Sequence, residues 1–409
     1  MRKQTLLFLA LMLPACLAFG GGYQLNLQGL RQLAMGGGGT AMPWDASTMF
    51  YNPGGLSRLD NFQANGSILF IVPSTQYVND VTGVSARTQN KVFTPFNVYL
   101  GGPIKKAGGL GVGVAVYTPF GSGTYWDNNW TGRYAIQNIE LQTIFIQPTV
   151  SYKFCDEVSV GVGVVIGTGN VKLSKAIPIQ DANGNDGEAN LKGNANGLGY
   201  NVGLSFKASE SLHFGVSYRS RVDMRVKSGT ANFTTATAIA SQFPNTSFDA
   251  TLPCPEVLSV GAAWKPIEKL TVQVDFNLTG WNAYDTLAFN YSAPVNGSMR
   301  SASARLYQNR IVSRVGANYQ ASEHLALMIG GAYDPSPVRD GYVTPDLPDA
   351  NRIVLTGGFT YRIVSKLTLM AAVEYVTSAK RNGVSNETGF SGRYQNKAIT
   401  PGIGLSYDF

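Results

Sequence analysis

The chain has 409 residues and a formal net charge of +7, with 47 Gly, 20 Phe and 20 Tyr but only 14% charged residues. So little charge excludes a disordered polyelectrolyte, and no stretch beyond the N-terminus approaches the roughly 18 apolar residues of a spanning helix, which excludes a helical membrane bundle. The positive surplus suits contact with acidic lipids and does not imply nucleic-acid binding.

Arg2 and Lys3 precede the apolar run LLFLALML, and CLA ends at Ala18 as a small-residue cleavage pattern. Residues 1–18 therefore read as a secretory signal peptide. LPAC, with a thiol at Cys16, leaves a lipoprotein signal as the alternative, although a lipid anchor adds little to a chain that itself spans a membrane.

Residues 19–60 lack any strand period and mix apolar side chains with glycine, as in AMGGGGTAM. The stretch WDASTMFYNPGGL is broken by Pro53, Gly54 and Gly55, yet its Trp44, Met49, Phe50, Tyr51 and Leu56 are too apolar for a solvated tail. The expectation is a plug, or hatch, folded inside the structure that follows; a periplasmic tail is the alternative.

From residue 61 onward period two takes over. LTVQVDFNL (270–278), LALMIGGAY (325–333), IVLTGGFTY (353–361) and LTLMAAVEY (367–375) place large apolar groups at alternate positions, with polar or small residues between. Runs of nine to twelve residues match a tilted strand crossing a bilayer. Six short polar turns, GPIKKAGG, KFCDEV, KASESL, KPIEKL, YQASEHL and YRIVSKL, alternate with seven longer segments: 74–91, 119–140, 170–194, 228–253, 283–306, 336–349 and 380–395. Six turns and seven loops join fourteen strands, an even number as a closed bacterial barrel requires. The expected fold is an all-β membrane protein, a 14-stranded antiparallel transmembrane β-barrel over residues 61–409, with short turns periplasmic and loops outside.

Within that frame the third strand, GLGVGVAVYTPF, holds Gly109, Gly111 and Gly113, which weaken pairing, and Pro119, which cannot donate to a ladder. These four are the candidates for a kink; relief of crowding inside the barrel is the other reading of the glycines. On strand seven Arg219, Arg221, Asp223 and Arg225 are expected to face inward, as is Asp275 on strand nine. With Ile311, Val315, Leu355, Phe359, Leu369 and Val373 toward lipid, Arg310, Arg314, Arg352 and Glu374 point into the lumen. Their expected roles are pairing, anchoring the plug, or holding a ligand carboxylate, with Arg314 and Arg352 the chosen carboxylate ligands and Arg310 behind them.

The fourth loop carries Phe233, Ile239, Phe243 and Phe248 among small polar residues, either a docking surface for an apolar ligand or a packed lid, and TATAIASQF is expected to form a short helix. DANGNDGE in the third loop fails the calcium-loop pattern, since Asp186 stands where Gly is needed and Lys192 where Glu is needed, so a hydrated turn is expected. Cys155 belongs to a periplasmic turn and Cys254 to the extracellular end, too far apart for a disulfide. His213 and His324 flank periplasmic turns, and no Gly-x-Ser-x-Gly, metal cluster or phosphate loop occurs, so no enzyme and no cofactor are expected. The final AITPGIGLSYDF alternates to an aromatic end at Phe409, a pattern resembling the signal read by the outer-membrane assembly machinery.

GGYQLN, DASTMFYNPGGL, YTPFGSGTYW, WTGRYAIQNIELQTIFIQPTVSYKF and YDPSPVRDGYVTPDLPDANR occur in this order. In these motifs the chain resembles the FadL family of outer-membrane transporters for long-chain fatty acids and other hydrophobic compounds, which includes the toluene channels. The resemblance implies a fourteen-stranded barrel with an N-terminal hatch, no open channel and no energy source; a monomer is expected. The ligand would lodge among the extracellular loops, move to a pocket beside the hatch and leave sideways through a kinked third strand. Asn52, Pro53 and Gly54 match the family's hatch turn, except that Gly54 stands where the family usually has Ala. A general porin, a channel for aromatic hydrocarbons and a non-transporting adhesive barrel are the alternatives.

Overall fold

The computed structural model describes residues 21–409; the signal-peptide reading and Cys16 lie outside the described residues. Fourteen strands close into one antiparallel barrel. They are β1 (Gln63–Leu69, continued by Val72–Val78), β2 (Ser85–Arg87, resumed at Phe96–Pro103), β3 (Leu110–Tyr117, resumed at Gly121–Tyr125) and β4 (Asn138–Lys153). Next come β5 (Val158–Gln180), β6 (Asp186–Lys207), β7 (Leu212–Arg219 with Val222–Thr234), β8 (Thr246–Cys254 with Val257–Ile267) and β9 (Leu270–Thr279 with Thr286–Val295). The series ends with β10 (Ser298–Ala304 with Arg310–Gln320), β11 (Leu325–Asp334), β12 (Arg352–Val364), β13 (Leu367–Ser378 with Arg381–Val384) and β14 (Ser391–Asp408). Closure comes from β1 on β14, in register from Gln63↔Asp408 to Leu69↔Gly402. The amide of Phe409 adds one more bond, to the carbonyl of Phe62 at 3.0 Å.

Alternation decides which face meets what. On β14 Ile399, Ile403 and Leu405 are exposed, while Thr400, Gly402 and Gly404 between them are buried. Ile311, Val315, Leu355, Phe359 and Val373 are likewise exposed. The apolar face therefore looks outward and the small and polar face inward, the reverse of a soluble sheet and the arrangement lipid demands.

What the inward face packs against is residues 21–60. This segment contains helices Leu30–Ala34 and Thr48–Tyr51 and a 3₁₀ turn Pro53–Arg58. Met49 and Leu56 are fully buried, Phe50 and Tyr51 nearly so. Inward glycines let the backbones approach: a side chain at Gly113, Gly161, Gly203, Gly215, Gly316 or Gly358 would collide with Met49, Pro53, Asn52, Thr40, Met35 or Ala34 respectively. Polar side chains of the segment and of the wall then bond the buried backbone between them. Asn52 donates to the carbonyls of Thr40 (2.8 Å) and Leu204 (2.9 Å), Asp275 accepts from the Thr40 amide (2.9 Å), and Thr356 both accepts from Gly36 (2.9 Å) and donates to Ala34 (3.0 Å). Gly54 lies so close to the Gly203 carbonyl that a Cβ would stand 2.8 Å from it, so the turn is pressed on the wall.

Three expectations need correction. Much of the segment 170–194 is a continuous hairpin, with β5 running to Gln180 and β6 starting at Asp186, because the sheet continues well beyond the apolar belt. Strand seven changes parity: β7 breaks between Arg219 and Val222, so Arg219 faces in, whereas Arg221 and Arg225 are exposed, Arg221 pairing with Asp223 at 3.1 Å. The third strand is interrupted at Thr118–Phe120, which includes Pro119 but none of the three glycines. Gly109 sits in the turn before β3 at φ 96°, and Gly111 and Gly113 lie inside a stretch paired on both sides.

The turn expected in DANGNDGE is present: Asp181 accepts from the amides of Asn183 (2.8 Å) and Asn185 (2.9 Å). Thr237–Gln242 is a 3₁₀ helix where a short helix was expected. Both Cys155, exposed, and Cys254, buried, are free.

Candidate functional site

The wall opens where β3 breaks. β2 and β3 pair from Pro103↔Gly111 to Asn97↔Tyr117, and there the ladder stops. Beyond it Gly121–Tyr125 pairs only with β4, and Ser85–Arg87 only with β1. Gln89 rejoins the two sides above the gap, its amide donating to the Tyr125 carbonyl at 2.8 Å and its side chain to the Trp126 carbonyl at 3.4 Å. Pro119 has no amide to offer β2, so the break is chemical as well as geometric. The Phe93 ring fills the window, lying on Gly123 where no side chain would fit.

The free inner edge is taken by the N-terminal segment. Gln24 bridges Phe120, the Leu25 amide donates to Pro119 at 2.9 Å, and the Gly121 amide donates to Tyr23 at 3.0 Å. Behind the window lies a cavity of about 420 Å³, walled by Leu25, Ile71, Phe93, Phe120, Leu141 and Arg352 among others. A second, nearly all apolar cavity of about 70 Å³ reaches into the extracellular strands between Tyr23, Val171, Leu173, Met224, Leu252 and Phe289. The two share Ser122, Leu141, Gln142, Thr143 and Leu347, so they adjoin.

The expected ligand arginines are engaged with protein. Arg314 donates to the Gly36 carbonyl (2.8 Å) and Asn277 (2.8 Å). Arg352 donates to the Gly22 carbonyl (3.1 Å) and stands 3.8 Å from Asp334 and 3.5 Å from Asp349. Arg310 bonds the carbonyls of Ser336 (2.8 Å) and Asn309 (3.1 Å). Of these three only Arg352 lines the larger cavity.

Arg219 is different. Its guanidinium lies 3.8 Å from the centroid of the Phe50 ring, with one long bond to the Phe50 carbonyl (3.5 Å), and no carboxylate among the described residues comes within ion-pair distance. The titratable groups facing it are the phenols of Tyr117, Tyr51 and Tyr99, and the hydroxyls of Tyr51 and Tyr99 are buried without a partner. Arg219 borders a small recess that shares Gln24 with the larger cavity. The alternation pattern had placed Arg219 inward; that it lacks a counter-ion depends on strands far apart in sequence.

Phe233, Ile239, Phe243 and Phe248 line neither cavity. Phe248 is fully buried against Phe289 (5.4 Å between centroids), and Phe233 packs on Phe243 (6.1 Å) and Tyr291 (6.3 Å), so they consolidate the loop. Among the described residues no group of three or more His, Cys, Asp or Glu is gathered to hold a metal ion.

The chain is 28% identical to a putative outer membrane protein of Neisseria meningitidis serogroup B, covering 100% of this chain and 98% of that one. It is 23% identical to a long-chain fatty acid transport protein of Escherichia coli, covering 99% and 98%. Among solved structures, a Pseudomonas aeruginosa FadL homologue superposes with a TM-score of 0.83 at 19% identity over 95% of this chain and all of that one. The Pseudomonas putida toluene transporter TodX gives 0.73 at 16% over 93% and 98%. Residues 11–409 match the family model of the outer membrane protein transport proteins (OMPP1/FadL/TodX), and the chain, an outer-membrane β-barrel, belongs to that family.

Proposed function

We infer that the protein admits hydrophobic molecules passively, with long-chain fatty acids its ligands. In this reading the ligand enters the apolar cavity among the extracellular strands, passes to the larger cavity beside residues 21–60, which serve as a hatch, and leaves sideways when Phe93 swings off Gly123. The physics favours such a route, because each CH₂ held in water costs about 0.8 kcal/mol and an aqueous pore gives an acyl chain no favourable path. Fourteen strands would otherwise enclose a lumen too wide for side chains to fill.

The observation that carries the choice of ligand is Arg219. A half-buried guanidinium without a counter-ion, beside two buried phenols without a partner, lacks what a carboxylate supplies: negative charge and several acceptor positions. A neutral aromatic would leave the guanidinium without a counter-ion and both phenols without a partner.

The test is uptake by cells lacking their own transporter, with radiolabelled oleate, toluene and a small sugar. Wild type should take up oleate and exclude the sugar, and Arg219→Gln should lower oleate uptake roughly tenfold while leaving toluene uptake unchanged. Equal loss of both would remove Arg219 as the carboxylate partner. Toluene uptake without oleate uptake would make the protein an aromatic channel, and sugar entry a porin.

A further inference from the structure

The connection between β11 and β12 does not stay above its own strands. Residues 336–349 reach across the lumen to β3, although β13, β14, β1 and β2 stand between β12 and β3 along the shorter way round the wall. At its far end the chain reverses in a turn at 344–347, closed by the Leu347 amide on the Thr344 carbonyl at 3.2 Å. Pro345 in the second position suits such a turn, because its ring presets φ.

The turn is fastened from three directions. On the β3 side the Thr124 hydroxyl donates to the Asp346 carbonyl (3.0 Å), and the Trp126 indole donates to the Pro345 carbonyl (3.0 Å). Arg305, in the break of β10, pairs with the Asp346 carboxylate (3.1 Å) and donates to the Thr344 hydroxyl (2.6 Å). From β14, Asn396 donates to the Pro348 carbonyl (2.6 Å). Arg305 and Asp346 are both largely buried, so parting them would strand two charges away from water. Held in this way, the turn is a fixed beam across the lumen.

What the beam carries to the route is Leu347. It is half-buried, and it lines both the small apolar cavity and the larger cavity behind the window. The other residues common to the two cavities, Ser122, Leu141, Gln142 and Thr143, all belong to the wall of β3 and β4, where Ser122 and Leu141 are paired in register. Leu347 is therefore the one residue at the junction of the cavities that does not come from that wall.

We propose that Leu347 sets the width of the passage between the two cavities and so selects ligands by cross-section. An unbranched acyl chain slips between Leu347 and the β3–β4 wall, whereas a chain ending in a fused-ring group is held back. The beam cannot retreat while its ion pair and its three carbonyl bonds hold, so the passage does not widen to suit a larger ligand. A smaller side chain at this position should then relax the selection, and a larger one should close the passage. The inference rests on the reading of the two cavities as one route, and names the residue that decides which ligands complete it.

The experiment compares uptake of oleate and of pyrenedodecanoate, a saturated acid with a fused-ring end, by cells lacking their own transporter. Wild type should import oleate and largely exclude the pyrenyl acid. Leu347→Ala should raise the ratio of pyrenyl-acid to oleate uptake at least about fivefold, and Leu347→Trp should lower oleate uptake at least about tenfold. Folded mobility on unheated gels confirms that each variant forms its barrel. A residue that merely packed the loop would change the uptake of both acids by the same factor. An unchanged ratio in Leu347→Ala would therefore overturn the proposal, as would undiminished oleate uptake in Leu347→Trp or equal import of both acids by wild type. In each of those cases wild-type oleate uptake would leave the transport reading standing. Absence of oleate uptake by wild type would instead overturn that reading, and this proposal with it.

Discussion

Leu25 donates its amide to the carbonyl of Pro119 at 2.9 Å, so the N-terminal segment occupies the ladder position that β2 vacates. The window and its inner seal are thereby one feature: the residue that stops β3 pairing with β2 is also the residue the segment holds. Pro119→Ala would return an amide to that edge and let the ladder extend. We expect oleate uptake to fall several-fold with the barrel's heat resistance unchanged, measured by radiolabel uptake beside unheated gel mobility. Unaltered uptake would mean that the window is not the exit.

Asn52 ties three backbone groups together. Its amide nitrogen reaches the carbonyls of Thr40 and Leu204, and its oxygen accepts from Gly54 at 3.0 Å. Asn52→Ala leaves these buried groups unpaired, a loss of roughly 2–4 kcal/mol if each bond contributes about 1 kcal/mol. The barrel should still form while residues 21–60 loosen, which would appear as new single-channel conductance in planar bilayers and faster proteolysis of the segment.

Arg314 serves as a contrast to Arg219. It holds the Gly36 carbonyl and Asn277, so Arg314→Gln should disturb the packing of the N-terminal segment without removing a ligand contact. Oleate and toluene uptake should then change together, in the same direction and by a similar factor. A selective loss of oleate uptake would restore Arg314 as a carboxylate partner.

Much of this architecture was legible in the chain. Period two and the short polar turns gave the strand number, and alternation on β10, β12 and β13 sorted lipid-facing Ile311 and Leu355 from inward Arg314 and Arg352. Parity is only a local rule, however. The break at Ser220 and Arg221 shifts it, which is why Arg221 and Arg225 lie outside although Arg219 lies inside. Glycines carried two meanings that sequence alone could not separate. Gly111 and Gly113 make room for Ser57 and Met49, whereas the interruption belongs to Pro119. The candidate anion site was the least legible, because a missing counter-ion is a property of β2, β3, β7 and the N-terminal segment together.

The hairpin tip at Asp181 should respond to acid. Hydrogen bonds from Asn185, first from its backbone amide and then from its side chain, with a further bond from the Asn183 amide, hold the Asp181 carboxyl below its ordinary value. A carboxylate depressed in the folded state contributes order that is fully present above its unfolded pKa of about 3.9 and is lost as pH falls through the lower folded value. Amide protection factors of Asn183 and Asn185 should therefore be constant from neutrality to about pH 5 and fall below about pH 4. In Asp181→Asn the pH dependence should vanish, and its persistence would assign the transition to another group.

The last expectation concerns the glycines that line the barrel interior. Gly161 lies on β5 opposite Ser151 and Gly203, in regular pairing on both sides, so the strand itself does not need a glycine there. The Pro53 carbonyl, however, occupies the space a Cβ would take. Valine at this position favours a strand and should leave barrel assembly intact or improve it. It must nevertheless push the turn Pro53–Arg58 away from the wall, breaking the bonds from Ser151 (3.2 Å) and Ser159 (2.7 Å) to the Gly54 carbonyl. Gly161→Val should consequently yield a heat-resistant barrel whose N-terminal segment is cut by protease at least several-fold faster than in wild type. If barrel assembly failed while the segment stayed protected, the glycine would serve the strand and not the segment packed against it.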